Sequence, residues 1–132
     1  MNRNNLIIAI DFDGTIVEDA YPKIGATQLF AFETLRKLQS EGYRLILWTY
    51  RSGSKLDEAV AFCNDNGVAF YAVNKSFPEE EFNEKYSRKI HADIFVDNRN
   101  IGGFIGWTEV YKQIFNYEPN FKKKKGIFSF FK

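Results

Sequence analysis

The sequence predicts an α/β fold: a three-layer sandwich built on a mostly parallel, doubly wound sheet. Short apolar runs alternate with segments of helical spacing, which is typical of parallel strands joined by right-handed crossover helices that cover both faces. The 132 residues are 45% hydrophobic, which suits one domain with a single core. Several apolar runs also end in polar residues, and such sheets bind ligands beyond the carboxyl ends of their strands.

The first half of the chain predicts two strands, each followed by a helix. The apolar run 6–10 predicts a buried strand, which we expect near the centre of the sheet. Residues 25–40 have apolar side chains at helical spacing and end at a glycine, a typical helix stop. The run 43–48 predicts the second strand, and Ser54 is the expected N-cap of the next helix.

The second half predicts two more strands and one helix. Residues 68–73 follow an Asn-Gly stop and predict the third strand. A less regular stretch leads to residues 90–96, the predicted fourth strand, and residues 107–115 predict the last helix.

Composition divides the chain into one domain, residues 1–117, and a basic, aromatic tail, residues 118–132. Residues 120–132 contain five lysines and no acid, which leaves 13 basic and 17 acidic residues elsewhere. An acidic body disfavours nucleic-acid binding. The tail is either an ordinary terminus, a contact for self-association in a homo-oligomer, or a surface for RNA or anionic lipid.

The cytoplasm is the expected location of the protein. Cys63 is the single cysteine, so no intrachain disulfide can form. The apolar run near the N-terminus is too short for a signal peptide, and none approaches the roughly 20 residues of a membrane span. Cys63 itself is expected in the core, because it falls on an apolar helix face.

Two carboxylates, Asp11 and Asp13, directly follow the first predicted strand. Strand alternation points both the same way, and burying them is unfavourable unless a cation or substrate uses them. Thr49 and Asp97 follow the second and fourth strands, so all four side chains should meet in one cleft. An aspartate there can attack phosphorus, and Mg²⁺, held through Asp11, Asp13 and Asp97, suits the oxygen ligands.

These residues resemble the motifs of the haloacid dehalogenase-like (HAD) superfamily of phosphotransferases. Asp11-Phe12-Asp13-Gly14-Thr15 is similar to the first motif of that family. The resemblance implies that Asp11 is the nucleophile and that Asp13 is the general acid and base. Thr49 resembles the second motif and Asp97 the fourth.

The third motif of that superfamily is a single lysine ahead of the fourth strand. Lys89 is the preferred candidate, and Lys75 and Lys85 are rivals. With one lysine residue as the whole motif, the sequence leaves the choice open.

Four further residues, Gly14, Thr15, Arg51 and Asn98, are expected to bind the substrate. Gly14 lets the backbone approach the phosphoryl oxygens, and Thr15 lies beside it. Arg51 is in a loop at the same edge and either binds a phosphate or carboxylate or has a plain surface role. Asn98 stands where the family often has a second acid, and it can hold a metal-bound water.

The resemblance implies a small, capless phosphatase, an Mg²⁺-dependent phosphomonoester hydrolase acting through an aspartyl-phosphate. The spaces after the first and second motifs leave no room for a cap domain, so the site is expected to be open. An open site favours a large phosphorylated substrate or closure by another subunit. The alternatives are a phosphate-binding regulatory module without turnover and a phosphotransferase.

Overall fold

A computed structural model describes residues 6–116 of the chain. Within this range, a four-stranded sheet has the strand order β3-β2-β1-β4, and every pair of neighbouring strands is parallel. The strands are β1 (Ile7–Ile10), β2 (Arg44–Leu47), β3 (Ala72–Val73) and β4 (Ile94–Val96). The helices are α1 (Ala31–Ser40), α2 (Gly53–Asp65) and α3 (Trp107–Phe115). The predicted α/β fold is confirmed, and the predicted tail, residues 118–132, lies outside the described residues.

Strand β1 lies inside the sheet, as the sequence predicts. Ile8 of β1 pairs with Leu45 of β2 on one side and with Ile94 of β4 on the other. A parallel strand that is covered on both faces reads as a continuous apolar run, which is why residues 6–10 contain no polar side chain.

The three helices of the described chain share one hydrophobic cluster on one face of the sheet. The strands contribute Ile8, Ile10, Leu45 and Leu47 to this cluster. The helices contribute Ala31, Phe32, Leu35 and Leu38 of α1, Ala59 and Cys63 of α2, and Trp107, Val110 and Ile114 of α3. Burial raises the pKa of the Cys63 thiol to about 12, which agrees with its expected place in the core.

The other face of the sheet is covered by irregular chain. Ala9, Ile46 and Ala72 form a second cluster there, and Ile90 packs onto them. Ile90 belongs to the connection from β3 to β4, which contains no helix between residues 74 and 93. The layer expected to be helical is therefore formed here by a non-helical crossover.

The helix predicted over residues 25–40 begins only at Ala31. The preceding residues run antiparallel to the chain after β1, and the Glu18 N–H donates to the Ala26 carbonyl at 2.8 Å. Backbone groups used in this ladder are not available to a helix. Leu29, which the pattern placed on the helix, is instead 66% exposed.

Strands β3 and β4 retain only the last residues of the predicted runs 68–73 and 90–96. The backbone N–H of Ala69 donates to a side chain of α1 rather than to β2. The backbone N–H of His91 donates to Ser76 Oγ. Side chains thus take the donors that a longer ladder would need.

The ends of the other two helices lie close to their predicted positions. Ser52, not Ser54, is the N-cap residue of α2, and it forms no side-chain cap bond. Helix α3 matches the predicted range 107–115. Among the described helices, none combines the length and the apolar character needed to cross a membrane.

Candidate active site

The chain segments that follow β1, β2 and β4 border a cleft of about 800 Å³. Its lining residues are Asp11, Asp13, Asp19, Tyr21, Trp48, Thr49, Tyr50, Arg51, Asp97 and Arg99. The structure therefore brings Asp11, Asp13, Thr49 and Asp97 to one cleft. The rule that ligands bind at the carboxyl edge of a parallel sheet predicted this grouping.

Asp11 is a carboxyl group in an environment that disfavours its charge. Burial and, second, repulsion from Asp97 raise the pKa of Asp11 to about 7. Thr15 Oγ1 donates to Asp11 Oδ2 at 3.2 Å. The Asn98 side-chain amide, with its nitrogen toward the acids, donates to Asp11 Oδ2 at 2.8 Å and to Asp97 Oδ1 at 3.2 Å. Asn98 thus links the two carboxylates across the cleft.

Asp13 is held by a bidentate ion pair with Arg51. Arg51 Nε donates to Asp13 Oδ2 at 2.7 Å, and Nη2 donates to Asp13 Oδ1 at 2.8 Å. Both carboxylate oxygens of Asp13 therefore bind Arg51. Asp11 and Asp97 form no such ion pair among the described residues and instead share a hydrogen-bond donor, the Asn98 amide. The Asp13 bond is the main reason that the pKa of Arg51 is raised above its ordinary value.

The remaining donors of Arg51 bind backbone carbonyls. Nη1 donates to Pro22 and Lys55 at 3.3 and 3.4 Å, and Nη2 donates to Lys23 at 2.9 Å. Together with the two bonds to Asp13, these three bonds within residues 6–116 use all five N–H groups of the Arg51 guanidinium. Arg51 is also only 2% exposed. Its donors are thus all taken by protein acceptors, and the predicted role of Arg51 in substrate binding stays a prediction.

Gly14 and Thr15 support Asp11 and Asn98 rather than line the cleft. Thr15 is completely buried, and its hydroxyl holds Asp11 as described. Gly14 has a φ of 85°, and a Cβ at this position would overlap the Asn98 amide. The Gly14 N–H already donates to the Val17 carbonyl at 2.7 Å. Both residues were predicted to bind substrate, which stays a prediction; the contacts described here position other side chains.

Thr49 is fixed by two neighbouring residues. Its backbone N–H donates to Asn74 Oδ1 at 2.8 Å, and its Oγ1 accepts the Arg51 N–H at 3.1 Å. Thr49 lines the cleft, and its hydroxyl can donate a hydrogen bond as well as accept one. Sequence reasoning missed Asn74, although the signal was present: it is a polar residue directly after strand β3.

The structure separates the three candidate lysines. None of the three lines the cleft, and Lys85 and Lys89 are exposed. Lys89 also adjoins Ile90, which packs on the second face of the sheet. Lys75 is half-buried and follows Asn74, the residue bonded to Thr49. The backbone thus brings Lys75, not the preferred Lys89, to the end of the sheet that carries the cleft.

Asp11 and Asp97 are the carboxylates best placed to hold a divalent cation. Asp13 was expected to join them; both its side-chain oxygens bind Arg51, and its part in holding a cation stays a prediction. Among residues 6–116, no three acidic, histidine or cysteine side chains form a metal-binding group. Mg²⁺ commonly uses only one or two carboxylates and completes its shell with water and substrate. Two mutually repelling carboxylates joined by Asn98 fit that mode of binding.

We expect Gly14→Ala to destabilise the protein by more than Gly102→Ala. Both glycines have positive φ, but only at Gly14 would the new Cβ meet another group, the Asn98 amide. Strain at such a φ costs about 1–3 kcal/mol, and displacement of Asn98 adds to it only at Gly14. Urea unfolding of both variants measures the difference, and equal losses would contradict this packing.

We expect Asp11 to make stability depend on pH when EDTA removes divalent cations. The folded state keeps the Asp11 proton up to about pH 7, whereas the unfolded chain releases it near 3.8. Between these values the folded state binds more protons, so raising the pH lowers the free energy of unfolding.

Comparing two Asp→Asn variants with the wild type isolates the contribution of Asp11 to this pH dependence. As the pH rises from about 4 to about 7, Asp11→Asn should lose less stability than the wild type in urea unfolding. Asp57→Asn, on the exposed face of α2, should behave like the wild type. Parallel curves for wild type and Asp11→Asn would show that the folded environment does not raise the pKa of Asp11.

Comparison with known proteins places the chain beside one solved structure. No family model and no curated protein matches the sequence. A solved structure described as the conserved protein coded by a locus of Bacteroides thetaiotaomicron is 50% identical, with a TM-score of 0.80. The match covers 87% of this chain and 93% of that protein. The chain therefore belongs to the same family as this conserved Bacteroides thetaiotaomicron protein.

Proposed function

We propose that the protein is a Mg²⁺-dependent phosphomonoester hydrolase that works through an aspartyl-phosphate, as its resemblance to the HAD superfamily implies. One observation carries the proposal. Asp11 lies partly buried at the end of β1 beside Asp97, while Arg51, one of the two arginines that line the cleft, is bound to Asp13. A carboxyl group without an ion-pair partner at the ligand-binding edge of a parallel sheet can act as a nucleophile once it is deprotonated.

The residues divide the reaction between them. An Asp11 oxygen attacks phosphorus, the bond to the leaving oxygen breaks, and Asp13 gives that oxygen a proton. Asp13 then takes a proton from water, which attacks the aspartyl-phosphate and releases inorganic phosphate and the Asp11 carboxylate. The Thr49 hydroxyl, fixed through Asn74 and Arg51, donates to a phosphoryl oxygen.

Asp11 and Asp97 would hold the cation, with Asn98 between them. Bound Mg²⁺ supplies positive charge against the repulsion between the Asp11 carboxylate and the phosphate. Thr15 keeps the Asp11 side chain oriented through its hydroxyl, so the nucleophile does not depend on the cation for its position.

One observation favours the binding module without turnover as a second candidate. Asp13 engages Arg51 through both oxygens, and a carboxylate in such a pair is a poor proton donor. Under the hydrolase proposal, one Asp13 oxygen turns from Arg51 toward the leaving group when substrate is bound. Turnover of a generic phosphate ester separates the two candidates.

We expect the wild type to hydrolyse p-nitrophenyl phosphate in MgCl₂ and Asp11→Asn to be inactive, because the amide cannot attack phosphorus. Asp13→Asn should lower steady-state turnover by about 10²–10⁴-fold, since it removes general acid–base catalysis. With this good leaving group, Asp13→Asn should still accumulate phosphoenzyme, which intact-protein mass spectrometry detects.

Asp57→Asn is the matched control, because it makes the same change on an exposed helix face. It should retain wild-type turnover. Full activity in Asp11→Asn would exclude Asp11 as nucleophile, and phosphate binding without turnover in the wild type would favour the binding module.

We expect Lys75, rather than Lys89 or Lys85, to hold the phosphoryl group. Lys75→Met should lower kcat/KM for p-nitrophenyl phosphate by about tenfold to a hundredfold, the usual range for a lost charged hydrogen bond. Lys85→Met and Lys89→Met remove the same charge from exposed sites and should have little effect. A selective loss in Lys89→Met would restore the assignment made from the sequence.

A further inference from the structure

The rim of the cleft carries aromatic side chains that the proposed chemistry does not use. Within the described residues, Tyr21, Trp48 and Tyr50 all line it. Tyr50 is fully exposed and Tyr21 is 59% exposed. Single exposed aromatic side chains are ordinary, but several around one cleft indicate a surface that a ligand covers.

Tyr21 is the outer member of a fixed stack. The Arg51 guanidinium carbon lies 5.1 Å from the centroid of the Phe12 ring and 5.1 Å from that of the Tyr21 ring. Phe12 is fully buried beneath, and Arg51 is held by Asp13 and by backbone carbonyls. Because Arg51 cannot move freely, it supports the Tyr21 ring as a platform at the edge of the cleft.

A flat ring of a ligand can extend this stack on Tyr21. Stacking on an aromatic side chain favours nucleobases, whatever their sequence or identity, because every base has a π-face. Trp48 and Tyr50 follow β2 and line the same cleft, so they add aromatic surface beside the platform. The platform also lies close to the proposed nucleophile along the chain, because Phe12, the base of the stack, directly follows Asp11.

We infer that the cleft takes a nucleoside monophosphate, with the base on the aromatic rim and the phosphate at Asp11. The inference rests on the proposed function for the place of the phosphate. A cleft of about 800 Å³ is within the range of sites for whole small molecules and exceeds what a phosphate group needs. Asp19 lines the cleft and offers a carboxylate to ribose hydroxyls or to an exocyclic amine.

The test compares adenosine 5′-monophosphate with ribose 5-phosphate, which has the same sugar and phosphate but no base. Titration calorimetry on the full-length Asp11→Asn protein in MgCl₂ gives both dissociation constants without turnover. Because the phosphate is common, the ratio of the two constants isolates the base. We expect the nucleotide to bind about tenfold to a hundredfold more tightly, as aromatic stacking provides.

Substitutions in the rim test whether the Tyr21 platform causes the ratio of the two dissociation constants. Tyr21→Ala should bring it close to one, Tyr21→Phe should keep it, and Tyr50→Ala should lower it. Tyr86→Ala is the matched control, because Tyr86 is similarly exposed at 66% but lies outside the cleft. A loss in Tyr86→Ala equal to that in Tyr21→Ala would overturn the inference.

Equal affinity for the two ligands, or no binding of either, would also overturn the inference. Phenyl phosphate is a third ligand, and affinity equal to that of the nucleotide would overturn the nucleoside assignment. Turnover of p-nitrophenyl phosphate by the wild type reports the proposed function separately. Turnover with equal affinities would remove only the inference, whereas tight nucleotide binding without turnover would remove only the hydrolase.

Discussion

The ion pair between Asp13 and Arg51 joins the loop after β1 to the loop after β2, and the arrangement of the cleft depends on it. Arg51 is almost completely buried, so its charge must be matched within the protein. Losing one partner of a buried pair typically costs about 3–5 kcal/mol, because the other charge is left unpaired. The same guanidinium also binds the carbonyls of Pro22, Lys23 and Lys55. One side chain thus fixes three stretches of backbone.

This pair also determines the charge that the rest of the site retains. Because Arg51 neutralises Asp13, the lining carboxyl groups without an ion pair among residues 6–116 are Asp11, Asp19 and Asp97. The repulsion between Asp11 and Asp97, added to burial, is unfavourable, and hydrogen bonds to Asp11 from Thr15, Asn98 and the Phe12 backbone moderate it. A fold that maintains such an arrangement favours ligands that bring positive charge.

The sequence predicted the features that depend on local pattern and on general topology. The apolar run 6–10, the helix 107–115 and the meeting of Asp11 with Asp97 follow from periodicity and from the direction of parallel strands. The sequence could not predict features that depend on partners distant along the chain. Helix α1 starts late because residues near Gly25 pair with the chain after β1, and a Cβ at Gly25 would overlap the Glu18 carbonyl.

The roles of single cationic residues were the least predictable part of the site. Arg51 reads as a loop residue with a free charge, yet its donors are all used by acceptors up to 38 positions away. Lys89 precedes the fourth strand in sequence, but the crossover that carries it runs over the second face of the sheet. Periodicity reports which face of an element is apolar; it carries no information about the partner that a long side chain finds.

The non-helical crossover has a consequence for how this family can diversify. Between residues 77 and 89 the backbone bonds are local turns, such as Tyr86 to Asn83, and the side chains are mostly exposed. The packing of Ile90 on the sheet cluster and the bond from the His91 N–H to Ser76 Oγ hold the end of this stretch. Surface segments with local bonds tolerate changes of length far better than packed helices do. Insertions of new chain can therefore accumulate at this point while the strand ends that carry Asp11, Thr49 and Asp97 stay in register.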